Sequence, residues 1–331
     1  MKTRAFLNDL EPYVPGTRIK DGIKLSSNEN ALGPSPLALE AIPRITGDIH
    51  RYPDGAMRTL REAIAARWGV SDEMVICGNG SDEIMVMIAG ALIEPGTNAV
   101  TGAHTFSQYA FATRIFGGEV RTSAMPDGRF DLESILEQTD AQTRVVWLCS
   151  PNNPTGAILT HRELEGFLER LSPEVLVVID EAYGEYAEAD EYHDSIALIG
   201  RFPNLIRLRT FSKIYGLAAL RVGYGIARPE VITAVGHLRQ PFNVGTVAQS
   251  AATAALGDEA FVRRSLENNR VEKRRLCEVL DRIGTPYLAS EANFVCADVG
   301  GLELNGGARG AKALVAALAD EMGSDKKTAG A

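Results

Sequence analysis

Two short apolar runs constrain the fold of this chain more than any other feature. They cover Arg144–Cys149 and Val175–Ile179, and neither alternates between apolar and polar positions. Strands of this kind are typical of the centre of a parallel sheet, because helices cover both of its faces. Between the two runs, Thr160 and Glu163 form a capping box that predicts a helix ending at Arg170. The pattern therefore predicts an α/β fold with an open sheet.

The alternation of strands and helices continues on both sides of these runs. A helix is predicted where Ala56, Leu60, Ile64 and Trp68 recur every four residues. Further strands are predicted at Met74–Cys77, Asn204–Leu208, Val222–Ala227 and Asn293–Cys296, and further helices at Glu83–Ile93, over residues 246–283 and at Ala311–Met322.

The order of these elements predicts three parts of the chain. Residues 1–33 are rich in turn-forming residues and are expected to be an N-terminal arm. Residues 34–241 are expected to form a large domain, with a mostly parallel central sheet sandwiched by helices. Residues 242–331 are expected to form a smaller α+β domain, which the long helical region joins to the large one.

Composition excludes several classes of partner. The net charge of −9 argues against binding to the phosphates of nucleic acid. We expect no membrane partner, because no apolar run approaches the ~20 residues of a membrane span and the N-terminus lacks the apolar core of a signal peptide. The four cysteines show no CxxC spacing, so neither a disulfide framework nor a metal site is expected. We therefore expect a cytoplasmic protein with reduced thiols.

The segment around Lys213 carries the clearest chemical signal. Thr210 and Ser212 precede this lysine, and Arg221 follows it eight positions later. A lysine amine can form a Schiff base with an aldehyde. The hydroxyls and the guanidinium are the donors that a phosphate dianion needs. An aldehyde and a phosphate on one small molecule describe pyridoxal 5′-phosphate, which we predict as the cofactor.

Polar residues follow the ends of several predicted strands, where ligands bind in open α/β sheets. Asp180 is placed to keep a pyridine nitrogen protonated, and Tyr183 and Asn153 to bind a ring oxygen. Taken alone, the aspartate has an ordinary explanation as a helix cap, and the Ser150–Gly156 segment has one as a turn.

Two further segments complete the predicted site. The Gly78–Glu83 turn joins a strand to a helix, whose first N–H groups would cradle a phosphate, although a plain β–α turn has the same sequence character. Phe106 and Tyr109 are candidates to stack on the cofactor ring, although aromatic residues in such places are commonly part of the core.

In order and spacing, these segments resemble the fold-type-I pyridoxal-phosphate-dependent aminotransferases, and among them the histidinol-phosphate aminotransferase family. The resemblance runs from about residue 8 to about residue 297. It includes, besides the segments above, Leu10–Gly16, Leu25–Asn30, Gly33–Pro36 and Arg51–Gly55.

The resemblance implies a role for each matching residue. Lys213 would be the Schiff-base lysine and later the proton shuttle. Asp180 would pair with the pyridinium, Tyr183 and Asn153 with the ring oxygen, and Phe106 would stack on the ring. The phosphate would be held by Ser81, Asp82, Thr210, Ser212 and Arg221, and by Tyr52 of the neighbouring subunit in a homodimer with shared active sites. Tyr13, Asn30 and Asn153 would lie near the substrate.

The implied reaction is the transamination of L-histidinol phosphate with 2-oxoglutarate, which gives imidazole acetol phosphate and glutamate in histidine biosynthesis. The family also has a C-terminal helix and strand whose arginines bind the substrate phosphate and the 2-oxoglutarate carboxylate. Here no arginine follows Arg309, which precedes the predicted Ala311–Met322 helix. We therefore expect a C-terminally truncated chain with weaker substrate binding, since one lost charge-assisted pair costs about 1.5–3 kcal/mol.

Two alternative interpretations use the same cofactor residues. Aromatic amino-acid aminotransferases and threonine-phosphate decarboxylase share those residues and differ in substrate. A pyridoxal-phosphate-binding protein without turnover would keep the cofactor site and lack the arginines. An NAD-dependent oxidoreductase is not favoured, because no strand is followed by a GxGxxG motif.

Overall fold

The computed structural model of the chain describes residues 2–4, 6, 7, 10 and 26–298. Most of the predicted N-terminal arm lies outside the described residues, as do Arg309 and the predicted Ala311–Met322 helix. The described part contains every predicted site residue other than Tyr13.

A seven-stranded sheet forms the centre of the described part. Its strands are β1 (Val75–Gly78), β2 (Asn98–Gly102), β3 (Glu119–Ser123), β4 (Thr143–Cys149), β5 (Leu176–Asp180), β6 (Leu205–Thr210) and β7 (Gly223–Ile226). They lie side by side in the order β1-β7-β6-β5-β4-β2-β3. All neighbouring pairs are parallel except those of β7, which is antiparallel to β1 and β6. The predicted open and mostly parallel sheet is confirmed.

Burial along the strands explains their apolar composition. Every residue of β1, β2, β5, β6 and β7 is buried, so both faces of the sheet are covered. Trp147 in the middle of β4 is completely buried. At an open face of the sheet, every second residue of these strands would contact water.

Helices surround the sheet. They are α1 (Pro36–Ala41), α2 (Arg58–Trp68), α3 (Ser81–Leu92), α4 (Gln108–Arg114), α5 (Leu132–Gln138), α6 (His161–Arg170), α7 (Ser195–Arg201), α8 (Pro229–Gly236), α9 (Thr246–Leu256) and α10 (Glu259–Arg282). Short 3₁₀ helices cover Ile42–Asp48, Asp72–Met74, Pro126–Gly128, Gly184–Tyr186 and Ala218–Leu220. In the part of the chain that the structure describes, every helix is too short or too polar to cross a membrane.

The start of α6 has the predicted capping box. The Thr160 hydroxyl accepts a hydrogen bond from the Glu163 N–H at 3.2 Å, and the Glu163 carboxylate accepts one from the Thr160 N–H at 2.7 Å. Two N–H groups that the helix leaves unpaired are thereby satisfied. The helix ends at Arg170, as the sequence predicts.

The prediction of one continuous helix over residues 246–283 is wrong. The chain breaks between α9 and α10, at Gly257 and Asp258. The Asp258 carboxylate caps α10 by accepting a hydrogen bond from the Phe261 N–H at 3.1 Å, and it also accepts one from the Ser35 hydroxyl at 2.6 Å. An aspartate that makes these two contacts stabilises the start of a new helix, rather than the continuation of the preceding helix.

The predicted Asn293–Cys296 strand is shorter and shifted. Only β9 (Cys296–Ala297) forms a strand there, and it pairs antiparallel with β8 (Tyr287–Leu288). The side-chain amide of Asn293 instead donates a hydrogen bond to the carbonyl oxygen of Asn28 at 3.1 Å. In a regular strand, a neighbouring strand would take the place of Asn28. The boundary between the two domains at residue 241 stays a prediction.

Candidate active site

A cleft of about 670 Å³ opens at the carboxyl ends of β4, β5 and β6. Parallel strands end at the same edge of a sheet, which explains why residues that are distant in sequence meet there. All predicted cofactor-binding residues except Tyr52 line this cleft: Ser81, Asp82, Phe106, Asn153, Asp180, Tyr183, Thr210, Ser212, Lys213 and Arg221.

Hydrogen-bond donors of several kinds gather near the N-terminus of α3. No side chain caps this helix, so its first N–H groups, at Ser81 and Asp82, and its dipole favour an anion. The Thr210 hydroxyl lies 3.0 Å from that of Ser212. Arg221 bonds to Ser212 Oγ at 3.4 Å and to Asp82 Oδ2 at 2.8 Å, so it links the two segments.

Two glycines allow this close approach. Gly80 has a φ of +79°, and a Cβ at this position would collide with the Arg221 guanidinium. At Gly223 a Cβ would lie 2.5 Å from the Ser81 nitrogen. Glycine is therefore required where the loop before α3 meets the end of β6 and the start of β7.

Asp180 also lines the cleft, at the last position of β5. It is 2% exposed, and its Oδ1 accepts a hydrogen bond from the Ala182 N–H at 3.0 Å. Its Oδ2 accepts one from the Tyr109 hydroxyl at 2.8 Å. Burial raises the pKa of Asp180 to about 6, although both hydrogen bonds act in the opposite direction. The carboxyl group therefore changes charge close to neutral pH.

Lys213 lines the same cleft. Its Nζ donates a hydrogen bond to the carbonyl oxygen of Ser27 at 2.6 Å and lies 5.4 Å from the centre of the Tyr183 ring. Burial lowers the pKa of the amine, and the nearby Asp82 carboxylate offsets part of this effect. An amine with a lowered pKa is uncharged more often, as a nucleophile or a base must be.

Tyr183 and Asn28 form a polar pair on the wall of the cleft. The Asn28 side-chain amide donates to the Tyr183 hydroxyl at 3.1 Å. Burial raises the pKa of Tyr183, so the phenol stays protonated at neutral pH. The Tyr183 hydroxyl thus keeps its own proton available for donation to an acceptor in the cleft.

The two adjacent asparagines of the turn after β4 have different positions. Asn152 is completely buried, and its amide donates to the His104 carbonyl oxygen at 3.0 Å and to the Thr155 hydroxyl at 2.9 Å. Asn153 instead lines the cleft. The turn therefore uses the first asparagine to fix its own shape and presents the second to a ligand.

A buried ion network lies next to Asp180. The Glu181 carboxylate bonds to Arg209 Nε at 2.9 Å, lies 3.0 Å from an Arg207 terminal nitrogen, and lies 3.0 Å from His193 Nε2. Burial alone would raise the pKa of Glu181, but the two guanidinium groups lower it well below its ordinary value. The network anchors the chain directly after Asp180, since breaking one partner of a buried ion pair is strongly destabilising.

The remaining predicted site residues lie elsewhere. Tyr52 is 82% exposed, and its ring stacks on that of Phe242 with centroids 4.7 Å apart. Asn30 lines a smaller depression beside the cleft, where its amide donates to the Ile214 carbonyl oxygen at 2.9 Å and to the Ser265 hydroxyl at 3.0 Å. Tyr13 lies outside the described residues.

Several residues of the cleft were not singled out from the sequence. Ser27, Asn28, Gln108, Cys149 and Ala182 also line it. Ser27 and Asn28 have φ values of 82° and 50°, a left-handed bend that turns the Ser27 carbonyl toward Lys213. The signal for this bend was the Ser-Ser-Asn sequence, because asparagine adopts the left-handed region more readily than most residues.

Tyr109 has a different environment from the predicted one. It cannot stack on a cofactor, because its ring is completely buried and lies parallel to that of Trp147 at a centroid distance of 5.6 Å. Phe106 does line the cleft, and it packs edge-on against Tyr109.

The donor set of the cleft fits pyridoxal 5′-phosphate. Arg221, two hydroxyls and a helix N-terminus suit a phosphate, and the acidic group of Asp180 suits a ring nitrogen. A lysine with a lowered pKa lines the same cleft. Across the described ranges, no cluster of three or more histidine, cysteine, aspartate or glutamate side chains could hold a metal ion.

The similarity of this sequence to known proteins covers almost the whole chain. The family profile of aminotransferase class I and II matches residues 20–324. The chain is 46% identical over 309 residues to the histidinol-phosphate aminotransferase of Geobacillus sp. strain WCH70, covering 91% of this chain and 85% of the relative. It is 44% identical over 309 residues to that of Anoxybacillus flavithermus, covering 91% and 83%.

A solved structure has the same fold. The crystal structure of histidinol-phosphate aminotransferase from Sinorhizobium meliloti in complex with pyridoxal-5′-phosphate superposes with a TM-score of 0.79 at 31% sequence identity, covering 83% of this chain and 75% of that one. The predicted fold-type-I architecture is thereby confirmed. The chain belongs to the aminotransferase class I and II family and, within it, to the histidinol-phosphate aminotransferases.

Proposed function

We propose that this chain catalyses the transamination of L-histidinol phosphate with 2-oxoglutarate, with pyridoxal 5′-phosphate as cofactor. The products are imidazole acetol phosphate and glutamate. One observation carries the proposal: Lys213, Asp180 and Arg221 come from separate segments and line one cleft. The identity of 46% to a relative named histidinol-phosphate aminotransferase supports the choice of substrate.

Two groups of residues in the cleft would bind the two ends of the cofactor, its phosphate and its ring. The N–H groups of Ser81 and Asp82, the hydroxyls of Thr210 and Ser212 and the guanidinium of Arg221 would hold the phosphate. Asp180 would bind the ring nitrogen, Tyr183 and Asn153 the ring oxygen, and Phe106 would cover a ring face. When bound, pyridoxal 5′-phosphate supplies the electron-withdrawing ring that makes the proton on the substrate α-carbon acidic.

Lys213 moves the proton in this mechanism. The carbonyl oxygen of Ser27 accepts a hydrogen bond from the Nζ atom, and the lowered pKa favours the uncharged amine. The free amine would then take up the proton that leaves the substrate α-carbon and deliver it to the cofactor side of the cleft, as a general base and a general acid in turn. Ionised Asp180 would keep a negative charge beside the ring nitrogen while this transfer takes place.

Substrate contacts are proposed for Asn153, Asn30 and Tyr13. Asn153 faces the cleft directly. The Asn30 amide binds the Ile214 carbonyl oxygen, so it also fixes the chain directly after Lys213. We propose that Asn30 acts chiefly by holding the Ser27–Asn30 segment against that part of the chain.

A homodimer with shared active sites is part of the proposal. The stacked rings of Tyr52 and Phe242 form an exposed surface, at 82% and 44% exposure, and Leu39 and Ile49 are also exposed, at 52% and 68%. A second copy that covered this surface would remove it from water. In that arrangement Tyr52 would reach the cofactor phosphate of the partner subunit.

A cytoplasmic location belongs to the same proposal. All four cysteines are free thiols, and Cys77 and Cys149 are buried. Free thiols persist in reducing compartments.

The experiment that tests the function compares three amino donors. The purified chain, loaded with pyridoxal 5′-phosphate, is supplied with 2-oxoglutarate and with L-histidinol phosphate, L-phenylalanine or L-threonine phosphate, and glutamate formation is followed. The proposal predicts the highest kcat/KM for L-histidinol phosphate. A preference for phenylalanine, release of CO₂ from threonine phosphate, or bound cofactor without turnover would each contradict it and favour one of the alternatives.

A further inference from the structure

The hydroxyl of Tyr109 contacts Asp180 from outside the cleft. It donates a hydrogen bond to Asp180 Oδ2 at 2.8 Å, and the tyrosine is completely buried. Tyr109 does not line the cleft, so it contacts Asp180 from a position that a ligand does not reach. Its hydroxyl has no role in the reaction proposed above.

The position of the Tyr109 ring is fixed by two neighbours. The ring lies nearly parallel to that of Trp147, with an interplanar angle of 5°. The Thr113 hydroxyl donates to the Tyr109 carbonyl oxygen at 2.9 Å and accepts from the Trp147 indole N–H at 3.2 Å. Tyr109, Thr113 and Trp147 therefore form a rigid support, and the phenol hydroxyl at its end points at Asp180.

The direction of the hydrogen bond is also fixed. Burial raises the pKa of Tyr109 well above its ordinary value, and the Asp180 charge adds to the effect, so the phenol keeps its proton. A protonated phenol next to an ionised carboxylate can only donate to it. With the Ala182 N–H on Oδ1, each oxygen of Asp180 has one fixed donor and one remaining lone pair.

We propose that Tyr109 is a positioning residue for the cofactor: its hydroxyl holds the Asp180 carboxylate ionised and in one orientation, ready for the ring nitrogen of pyridoxal 5′-phosphate. The inference rests on the proposed function, because it needs a ligand that binds to Asp180. It assigns a role in cofactor binding to Tyr109 of α4, which acts only through Asp180.

Removal of the hydroxyl has a defined consequence for Asp180. Tyr109→Phe keeps the ring and its stacking on Trp147 and deletes one donor. The ionisable groups around Asp180 are Tyr109, Cys149, Glu181, Asp82, Tyr183 and Lys213. Among them, Tyr109 donates directly to the carboxylate, so its loss raises the pKa of Asp180 further. Less of the ionised form is then present at neutral pH.

The test measures binding of pyridoxal 5′-phosphate to the cofactor-free protein from about pH 5 to about pH 8, which brackets the titration of Asp180. The variants are Tyr109→Phe, Asp180→Asn, the double variant and the matched control Tyr224→Phe. Tyr224 is 1% exposed, and its hydroxyl accepts from the Trp68 N–H at 2.9 Å, away from the cleft. Thermal unfolding of each variant checks that it folds.

We expect Tyr109→Phe to weaken binding by up to about ten-fold at neutral pH, because a larger fraction of Asp180 is then protonated. The pH at which affinity falls on acidification should rise. In the Asp180→Asn background the same substitution should have little effect, and Tyr224→Phe should bind like the wild type. If Tyr109→Phe unfolds, 3-fluorotyrosine at position 109 is the second variant. It keeps the hydroxyl and makes it a stronger donor, so the pH midpoint of the loss of affinity should be lower.

Three results would overturn the inference. Unchanged affinity and midpoint in a folded Tyr109→Phe, or an unchanged midpoint with 3-fluorotyrosine, would show that the hydroxyl does not act on Asp180. An equal loss of affinity with and without the Asp180 carboxylate would show that Tyr109 acts through packing. A wild-type chain that binds no cofactor would instead contradict the proposed function and remove the basis of the inference.

Discussion

The Nζ atom of Lys213 lies 2.6 Å from the carbonyl oxygen of Ser27, although 186 positions separate the two residues in sequence. The left-handed backbone at Ser27 aims this carbonyl at the amine. A neutral carbonyl stabilises an ammonium less than a carboxylate would, because it contributes a dipole and no net charge. The amine is thus held in place while its pKa remains lowered.

Lys213→Ala should abolish covalent attachment of pyridoxal 5′-phosphate and transamination, because the chain loses both the attaching amine and the proton carrier. Borohydride reduction of the loaded protein followed by peptide mass spectrometry detects the attachment. Lys273→Ala is the matched control: Lys273 Nζ also donates to main-chain carbonyl oxygens, those of Ser290 and Ala292, and burial also lowers its pKa. Attachment at Lys273 in the wild type would contradict this assignment.

Arg221→Gln should weaken the binding of pyridoxal 5′-phosphate by about ten- to a hundred-fold, since a charge-assisted hydrogen bond to phosphate is lost. Pyridoxal, which lacks the phosphate, should bind the variant and the wild type equally well. Absorbance titration of the cofactor-free protein with both ligands measures the difference. An equal loss for pyridoxal would mean that the substitution disturbs the cleft as a whole.

Asp180→Asn should stabilise the cofactor-free protein above pH 6. Folding raises the pKa of this carboxyl from 3.8 to about 6, so its favourable contribution is present at low pH and is lost as the pH rises through about 6. Above that pH the ionised group costs at most about 3 kcal/mol, which an amide avoids. Urea unfolding near pH 7.5 and near pH 4 should show a gain only at the higher pH.

The control for this prediction is Asp82→Asn, which removes a carboxylate of the same cleft whose side chain is 46% exposed. Its effect on the free energy of unfolding should stay within about 1 kcal/mol, as for an exposed ion pair. A stability gain in Asp180→Asn that persists at low pH would show that the gain does not come from the charge.

Mixing two variants, one inactive and one impaired in cofactor binding, tests the shared active site. Lys213→Ala lacks the amine, and Tyr52→Ala lacks the side chain proposed to reach the partner. If the sites are shared, a mixed dimer has one site with both wild-type residues. Random exchange should then restore about a quarter of the wild-type activity, since half of the dimers are mixed and each has one intact site. No recovery in a mixture shown by sedimentation to be dimeric would contradict the shared site.

The sequence predicted five of the seven strands of the sheet, all but β2 and β3, and most residues of the cleft, for an identifiable reason. Apolar runs such as Val175–Ile179 predict buried strands, and the polar residues after them then meet at one edge. The roles of Ser27 and Asn28 depend on a left-handed bend and a contact across 186 positions, which no local pattern encodes.

Tyr109 and Asp258 show the same limit of local patterns. An aromatic residue three positions after Phe106 is equally suited to a ring contact and to the core, and its position beside Trp147 decides between them. The break between α9 and α10 depends on the bond from Ser35 to Asp258, which spans 223 positions. Helical periodicity alone does not predict it.

The most direct test of the account is an absorbance titration of the cofactor-loaded protein with L-histidinol phosphate in the absence of 2-oxoglutarate. We expect loss of the absorbance of the lysine-bound cofactor, appearance of the aminated cofactor and one equivalent of imidazole acetol phosphate per site, with none of these changes in Lys213→Ala. A lysine-bound cofactor whose spectrum L-histidinol phosphate leaves unchanged would contradict the proposed reaction.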